Sequence, residues 1–212
     1  MSQKVLIVGA GSGLSASLAR RCHAAGMQVA LAARDGENAR AVAQETGASL
    51  RRCDASSIED VAALFAALDA SIGAPDLVVY NPSARLRGPI ADLDPEATRN
   101  AIEVTCFGAF LVAQQAARRL LARLSGSILF SGASAGVKGF ANSSGFAMGK
   151  FGLRGLAQAL ARELHPQNIH IGHFVIDGDI ASERQDRKDD GSDRMLDPDA
   201  IAEAYLQFHN QH

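Results

Sequence analysis

The chain has 212 residues, of which 47% are hydrophobic and 21% are charged, and its formal net charge at pH 7 is −2. A chain of this size buries a substantial core without help from disulfides or a metal. The lack of a basic excess argues against a nucleic-acid partner, and no apolar run approaches the roughly 20 residues that cross a bilayer.

The first apolar segment, residues 4–8, leads directly into a glycine-rich turn. We interpret it as a buried strand followed by a phosphate cradle, because glycines let the backbone turn tightly and the next helix presents unpaired N–H groups to an anion. Ser15 stands where the dinucleotide fingerprint has its third glycine, and the alternative is a tight turn without a ligand. The residues predicted to bind a dinucleotide here are Gly9, Gly11, Ser12, Gly13 and Leu14.

Strand-like and helix-like segments then alternate to about residue 181. The further predicted strands cover residues 27–33, 49–53, 76–81, 126–131 and 169–176. The predicted helices cover residues 14–25, 36–46, 57–70, 95–123, 144–164 and 197–208. This alternation predicts the α/β class: a three-layer α/β/α Rossmann fold with one doubly wound parallel sheet, in a single domain over residues 1–212. Ligands of such a sheet bind at the carboxyl ends of its strands.

The segment 181–199 interrupts the alternation with eleven Asp, Glu, Arg or Lys residues. Its scarcity of apolar positions predicts a flexible loop. Two interpretations stay open: a solvated surface excursion, or a lid over the substrate that orders on ligand binding.

Three scattered cysteines, Cys22, Cys53 and Cys106, favour a reducing compartment over a disulfide framework, and we expect the cytoplasm. The strand at the N-terminus predicts that no signal peptide is present. His170 and His173 alternate with apolar residues in a predicted strand, so they face opposite sides of it. We therefore predict no metal site.

Five short motifs lie at the ends of predicted strands or on the helices that follow. They are Gly9-Ala10-Gly11-Ser12-Gly13-Leu14, Cys53-Asp54-Ala55, Asn81-Pro82-Ser83, Phe146-Ala147-Met148-Gly149-Lys150 and Asp177-Gly178-Asp179-Ile180-Ala181-Ser182. Their order and spacing resemble the short-chain dehydrogenase/reductase family, whose patterns are TGxxxGIG, a strand-end Asp, NAG, YxxxK and PGxIxT. The resemblance covers essentially the whole chain, and it implies a bound nicotinamide dinucleotide.

The resemblance also implies roles for single residues. Asp54 is implied to accept a hydrogen bond from the adenine amino group, and Lys150 to bind the nicotinamide ribose. The cofactor-binding residues implied beyond the first turn are Asp54, Ala55, Asn81, Pro82, Lys150, Gly178 and Ile180.

The end of the second strand predicts which dinucleotide is bound. An enzyme selective for NAD usually has an acid at this position, which holds the ribose hydroxyls and repels a 2′-phosphate. Here Ala33 leaves room, and the guanidinium of Arg34 can pair with phosphate oxygens. Asp35 partly offsets the positive charge of Arg34. The alternative is that Arg34 is a solvated surface residue without a ligand. We predict NADP as the cofactor, with NAD the less favoured choice.

The catalytic positions depart from the family pattern. The family uses a Tyr that transfers the hydroxyl proton, a Lys that lowers the Tyr pKa, a Ser that orients the substrate and an Asn that supports a proton relay. Phe146 stands at the Tyr position, Thr105 at the Asn position and Ala133 at the Ser position, whereas Lys150 is retained.

Phenylalanine cannot transfer a proton, so carbonyl reduction loses a contribution of typically about 10²- to 10⁴-fold. Water, Ser134, Lys150 or a group on the substrate then has to deliver the proton. Ser131 and Ser134 both flank Ala133, and we favour Ser134 as the hydroxyl that reaches the substrate. The catalytic candidates are Lys150, Ser134, Phe146 and Thr105.

Three further side chains lie after the fourth strand. Tyr80 is either a relocated acid or a core tyrosine, and we favour the core. Arg85 and Arg87 either meet an anionic substrate or are simply solvated.

Two functional hypotheses follow. The first is an NADP(H)-dependent oxidoreductase with an atypical proton donor, acting on a small carbonyl, alcohol or activated double bond. The second is a dinucleotide-binding protein with little or no turnover that serves as a cofactor sensor or partner subunit. We favour the first. Family members associate through their two long central helices, which predicts a homodimer or homotetramer here.

Overall fold

The computed structural model describes residues 2–181 and 195–211. The strands are β1 (Lys4–Val8), β2 (Gln28–Ala33), β3 (Ser49–Arg52), β4 (Leu77–Tyr80), β5 (Gly126–Ser131), β6 (Ile169–Phe174), β7 (Asp179–Ile180) and β8 (Met195–Leu196). The α-helices are α1 (Leu14–Ala24), α2 (Arg40–Thr46), α3 (Ile58–Asp69), α4 (Pro95–Ile102), α5 (Gly108–Leu121), α6 (Ser144–Leu164) and α7 (Pro198–His209). Short 3₁₀ turns precede α2 and follow β5 and α6.

Six strands form one parallel sheet in the order β3-β2-β1-β4-β5-β6. The order reverses direction after β1, which places β1 and β4 side by side at the crevice where ligands of doubly wound sheets bind. All six strands are parallel, so their carboxyl ends lie along one edge. The predicted Rossmann fold is confirmed.

Two apolar clusters pack on the two faces of the sheet. The first joins the sheet to α3, α5 and α6, with Leu6, Phe65 and Leu120 fully buried. The second joins it to α1, α2 and α7, with Leu18 and Tyr205 fully buried. These are the three layers that the alternating segments predict.

The long helix predicted over residues 95–123 is interrupted. A π-helical turn, Glu103–Phe107, separates α4 from α5. The buried Tyr80 hydroxyl donates a hydrogen bond to the Val104 carbonyl, and a Cβ on Gly108 would stand 2.5 Å from that hydroxyl and 2.6 Å from the Ala55 carbonyl oxygen. The prediction missed this break because the contacts that accompany it come from other elements. Such π turns occur frequently at functional sites.

The predicted loop 181–199 is partly corrected. Met195–Leu196 pairs with Asp179–Ile180 as a parallel two-stranded ribbon, and α7 begins at Pro198. Residues 182–194, including Ser182 of the last motif, lie outside the described residues, so the flexible loop predicted there, as a surface excursion or as a lid, remains a prediction. No helix in the part of the chain that the structure describes is long and apolar enough to cross a membrane.

Candidate active site

The turn after β1 is shaped by contact with the end of β4. Gly9 has φ +80°, a backbone conformation that favours glycine. A Cβ at this position would lie 2.6 Å from the Pro82 nitrogen, so no side chain fits. The Gly9 and Ala10 N–H groups both donate to the Ala32 carbonyl oxygen, at 2.9 and 3.0 Å. The turn is therefore fixed by its neighbours on both sides.

Ser15, which replaces the third glycine of the fingerprint, makes two hydrogen bonds. Its hydroxyl donates to the Gly9 carbonyl at 2.9 Å and accepts from the Asn81 side-chain amide at 2.8 Å. The side chain is buried and connects the glycine turn to the end of β4. The sequence identified Ser15 only as a departure from the fingerprint, because its partner at the end of β4, Asn81, lies 66 residues away.

The start of α1 provides room for an anion. Gly13 caps the helix without a side-chain hydrogen bond, and the first N–H groups of any helix lack intrahelical acceptors. A Cβ on Gly11 would meet no atom within 4 Å, so that position is open. Ser12 is partly exposed here, whereas Leu14 is buried in the core beneath the turn. These features fit the approach of a pyrophosphate.

A first cavity of about 320 Å³ opens beside this turn. It lies at the carboxyl ends of β1, β2, β3 and β4. It brings together six of the predicted cofactor-binding residues: Gly9, Arg34, Asp54, Ala55, Asn81 and Pro82. Ala33 and Asn38 also line this cavity, and no sequence motif indicates Asn38 as a site residue.

Asp54 carries a negative charge in this cavity. Its carboxylate accepts hydrogen bonds from the Ser56 hydroxyl at 2.7 Å and the Ser56 N–H at 2.9 Å. The Ser56 hydrogen bonds lower the pKa of Asp54 against a smaller opposing effect of burial, and the charge of Arg34 lowers it further. Arg34 is exposed, and its guanidinium has no hydrogen-bond or ion-pair partner among the described residues.

A second cavity of about 370 Å³ lies at the ends of β5 and β6. Three predicted site residues line it: Ser134, Phe146 and Gly178. The two loop arginines, Arg85 and Arg87, line it as well. Ile180 lies in β7 and packs against the apolar cluster of α1 and α7, so it is not part of this lining.

Ser134 and Ser131 differ in what their hydroxyls contact. Ser131 is buried, and its hydroxyl is 2.9 Å from the hydroxyl of Tyr205 in the core. Ser134 lines the second cavity, beside Ala133. Of the two serines left open by the sequence, Ser134 is the one that a ligand in this cavity can reach.

Lys150 is buried close to this cavity without lining it. Only 3% of the residue is exposed, and its Nζ donates a hydrogen bond to the Ser131 carbonyl oxygen at 2.8 Å. Nζ also lies 5.8 Å from the centroid of the Phe146 ring. Desolvation by burial, followed by the charge of Arg85, lowers the pKa of Lys150 to about 8. Burial therefore makes this ammonium group easier to deprotonate than that of an ordinary lysine.

Thr105 has a structural contact. It is buried in the π-helical turn, and its hydroxyl accepts a hydrogen bond from the Ala84 N–H at 3.2 Å. A Cβ on Gly149 would stand 2.9 Å from the Thr105 Cβ, so the π turn and α6 are in close contact. Thr105 thus fixes the loop that follows β4. It lines neither of the two cavities.

The other sequence candidates are accounted for by packing. Tyr80 is fully buried, and burial raises the pKa of its hydroxyl, so it has the core role that we favoured. His170 lies 6.4 Å from the Phe208 ring centroid of α7, whereas His173 lies against Gly132 on the other face. No group of three or more metal-ligating side chains occurs within residues 2–181 and 195–211.

Comparisons with known proteins agree with this geometry. Residues 3–191 match the family described as short chain dehydrogenase. The trans-4-hydroxycyclohexanecarboxylate dehydrogenase of Sinomonas cyclohexanicum is 31% identical over 183 residues, 81% of this chain and 70% of that protein. The 3-oxoacyl-acyl-carrier-protein reductase MabA of Mycobacterium tuberculosis is 28% identical over 195 residues, which cover 91% of this chain and 76% of that protein. The crystal structure of a short-chain dehydrogenase from Rhodopseudomonas palustris has a TM-score of 0.85 and 32% identity, covering 99% of this chain and 92% of that one.

Proposed function

Because the chain belongs to the short-chain dehydrogenase/reductase family, we propose that it is an NADP(H)-dependent oxidoreductase with an atypical proton donor. The observation that carries the proposal is the turn at Gly9, where no side chain fits and the backbone borders a cavity that also contains Arg34 and Asp54. A cradle of this kind suits a dinucleotide.

The residues fit the cofactor in several places. The start of α1, with the open position at Gly11, suits the pyrophosphate, and the Asp54 carboxylate suits the adenine amino group. When bound, NADPH would supply a hydride to a carbonyl carbon. The protein would then have to orient the substrate and supply a proton to its oxygen.

Arg34 supports NADP over NAD. Ala33 and Arg34 both line the first cavity, and Arg34 has no described ion-pair partner that would compete for a 2′-phosphate. We expect wild-type protein to bind NADPH about 10- to 100-fold more tightly than NADH, since charge-assisted bonds from a guanidinium to phosphate are among the strong ones. Titration of both nucleotides by calorimetry measures this preference.

The Arg34→Ala variant is expected to remove that preference and leave NADH binding nearly unchanged. Arg20→Ala is the control, because Arg20 is a partly exposed arginine of α1 that pairs with Glu45 of α2 at 2.8 Å, away from the first cavity. An absence of NADPH binding by the wild type would refute the proposed function, and an NADH preference would refute only the choice of cofactor. Turnover is followed in the same samples with a panel of carbonyl and enone substrates.

We assign the proton to Lys150. In the reduction, a carbonyl carbon accepts the hydride, its oxygen accepts a proton, and an alcohol is formed. Ser134 lines the second cavity, which supports it as the hydroxyl that orients that oxygen, and Nζ of Lys150, hydrogen-bonded to the neighbouring Ser131 carbonyl, supports Lys150 as the proton source. The substrate class is a small carbonyl or alcohol, or an activated double bond.

The hypothesis of a protein with little or no turnover makes a different prediction for Phe146→Tyr. If Lys150 supplies the proton, a new tyrosine hydroxyl changes turnover by no more than a few-fold. If Phe146 abolished an ancestral activity, turnover appears only in Phe146→Tyr. That second outcome would refute the oxidoreductase proposal while leaving nucleotide binding intact.

We also propose that the protein is a homodimer or homotetramer assembled through α5 and α6. Four large apolar residues near these helices are between 41% and 56% exposed: Phe107, Phe110, Met148 and Phe151. Phe107 and Phe110 stack with ring centroids 6.1 Å apart. An exposed apolar patch of this kind typically marks an interface.

The Phe110→Asp variant is therefore expected to sediment as a monomer, because a charge in an apolar interface is costly to bury. Ile58→Asp, at an apolar residue of α3 that is 58% exposed, serves as the control and should leave the oligomer intact. Sedimentation velocity distinguishes the monomer from the oligomer in both variants. A monomeric wild-type protein would contradict the assembly proposal.

A further inference from the structure

We infer that the substrate carries a carboxylate or a phosphate group, and that Arg85 and Arg87 bind this anion at the second cavity. The inference rests on the proposed function, because it names the substrate class of the same site.

The loop after β4 is held at two points. The Ala84 N–H donates to the Thr105 hydroxyl at 3.2 Å, and the Gly88 N–H donates to the Asn142 carbonyl at 2.9 Å. The first contact anchors the loop to the π-helical turn, and the second anchors it to the turn before α6. Both arginines lie between these anchors, so the loop that carries them is positioned before a ligand arrives.

The two arginines share one side of this loop. Leu86 lies between them in sequence, and its Cδ2 is 3.5 Å from the position of a Cβ on Gly145 at the start of α6. Leu86 therefore packs against the helix. Arg85 and Arg87 both line the second cavity, as do Ser134 and Phe146. Two guanidinium groups thus border the cavity that contains the substrate-orienting hydroxyl.

A single carboxylate serves both arginines. Arg85 pairs with Asp179 at 2.8 Å, and both side chains are more than half exposed. The hydrogen bond and charge of Arg85 hold the pKa of Asp179 below its usual range, and the charge of Arg87 adds to this. Arg87 has no hydrogen bond or ion pair of its own within the described residues. This cluster has one positive charge more than it has negative charges.

Asp177 is the remaining charged residue in the lining. It is exposed, and no ion pair joins it to Arg85 or Arg87 in the described part of the chain. Asp177 therefore balances the charge of the whole lining but leaves Arg87 without a carboxylate at contact distance, so the positive charge of the arginine cluster has no partner there. A ligand anion that bridges the two guanidinium groups would compensate it, and planar forks suit both carboxylate and phosphate.

Phe146 connects this anion site to the proton donor. The Arg85 guanidinium carbon lies 5.8 Å from the Phe146 ring centroid, within the range of a cation–π contact. The same ring lies 5.8 Å from Nζ of Lys150, whose pKa is lowered by burial and then by Arg85. An anion on Arg85 would offset that repulsion and favour the protonated Lys150. Binding of an acidic substrate would thereby help to keep its proton in place.

The test uses pairs of small keto acids and their neutral amides, which differ in charge but hardly in shape. Calorimetry measures the binding of each probe to the NADPH-loaded protein. We expect the acid to bind at least 10-fold more tightly than its amide. Arg87→Gln should reduce this ratio about 10-fold, whereas Arg99→Gln should leave it unchanged, since Arg99 is an exposed arginine paired with Glu96 on α4. Keto phosphates, run alongside, distinguish the two anions.

Asp179→Asn gives a prediction of opposite sign. Removing this carboxylate frees Arg85, so the acid should bind about 3- to 10-fold more tightly than to the wild type. A purely structural role of the Arg85–Asp179 pair predicts weaker binding or none. Equal binding of acid and amide, preference for the amide, or absence of binding by every probe would overturn the inference.

The outcomes separate this inference from the proposed function. If NADPH fails to bind, the proposed function fails before any probe is added. If NADPH binds and neutral carbonyl compounds are reduced as well as acidic ones, the oxidoreductase proposal stands and the anion site is refuted.

Discussion

Replacing Lys150 with methionine is expected to lower turnover by about 10²- to 10³-fold, within the range usually lost with a general acid. The reason is that Phe146 offers no proton, and Lys150 is the buried titratable group beside its ring. Binding of NADPH should weaken only several-fold, because the glycine turn and Arg34 are unchanged. Steady-state kinetics and calorimetry on one sample separate these two effects.

The pH profile provides a second readout. The pKa of Lys150 is lowered to about 8, so the rate of carbonyl reduction by the wild type should fall as the pH rises through about 8. Lys138→Met is the matched control, because Lys138 is an exposed lysine 5.1 Å from the Phe140 ring centroid. Turnover in Lys150→Met within about three-fold of the wild type would exclude Lys150 as the proton source.

Lys150→Met should raise the stability of the folded protein at pH 7 although it lowers the turnover. The folded protein holds the Lys150 proton less tightly than the unfolded chain, so wild-type stability rises with pH between about 8 and about 10.4, the usual lysine pKa. Below about pH 8 the buried charge costs stability. Lys150→Met removes this cost, and we expect its free energy of unfolding at pH 7 to be higher by about 1–2 kcal/mol, after the loss of the hydrogen bond to Ser131. Urea unfolding at pH 7 and pH 10 checks both signs.

Gly9→Ala is expected to abolish NADPH binding and to lower the free energy of unfolding by about 3–4 kcal/mol. Adopting φ +80° costs an alanine about 1–2 kcal/mol. The Cβ would also overlap the Pro82 nitrogen at 2.6 Å, and forced overpacking costs a further 1–3 kcal/mol or so. Relaxation of the turn away from Pro82 would displace the backbone that borders the first cavity.

Gly26→Ala measures the conformational cost alone. Gly26 has φ +78°, nearly the same backbone conformation, but a Cβ there meets no atom within 4 Å. Only the conformational cost of about 1–2 kcal/mol should appear, and NADPH should bind as to the wild type. Equal destabilisation by the two variants in urea would show that the contact with Pro82 is unimportant.

Several features of the site depend on contacts that no local pattern reveals. Thr105 and Ser15 both looked like losses of family residues. In the folded chain Thr105 accepts from the Ala84 N–H and Ser15 links Gly9 to Asn81. The Ala84–Thr105 bond spans 21 residues and the Asn81–Ser15 bond spans 66, so neither could be recognised from local sequence.

The sequence alone determined the fold and the edge of the sheet at which we propose that the cofactor binds. Alternating apolar segments fix the order of strands and helices, and right-handed crossovers leave little choice of topology. The sequence also located the tight turn after β1, because glycine is required where a backbone adopts φ +80° and contacts another strand end. Local conformation and periodicity are properties of neighbouring residues, so a sequence carries them directly.

Only the tertiary structure decided which side chains meet. It separated Ser134, on a cavity, from Ser131, in the core with Tyr205. It also broke the helix predicted over residues 95–123 at the π-helical turn, and it placed Arg85 over the ring of Phe146. These outcomes depend on distances between segments far apart in the chain. Such distances are set by the packing of the whole sheet and its two helical layers, which no single stretch of sequence contains.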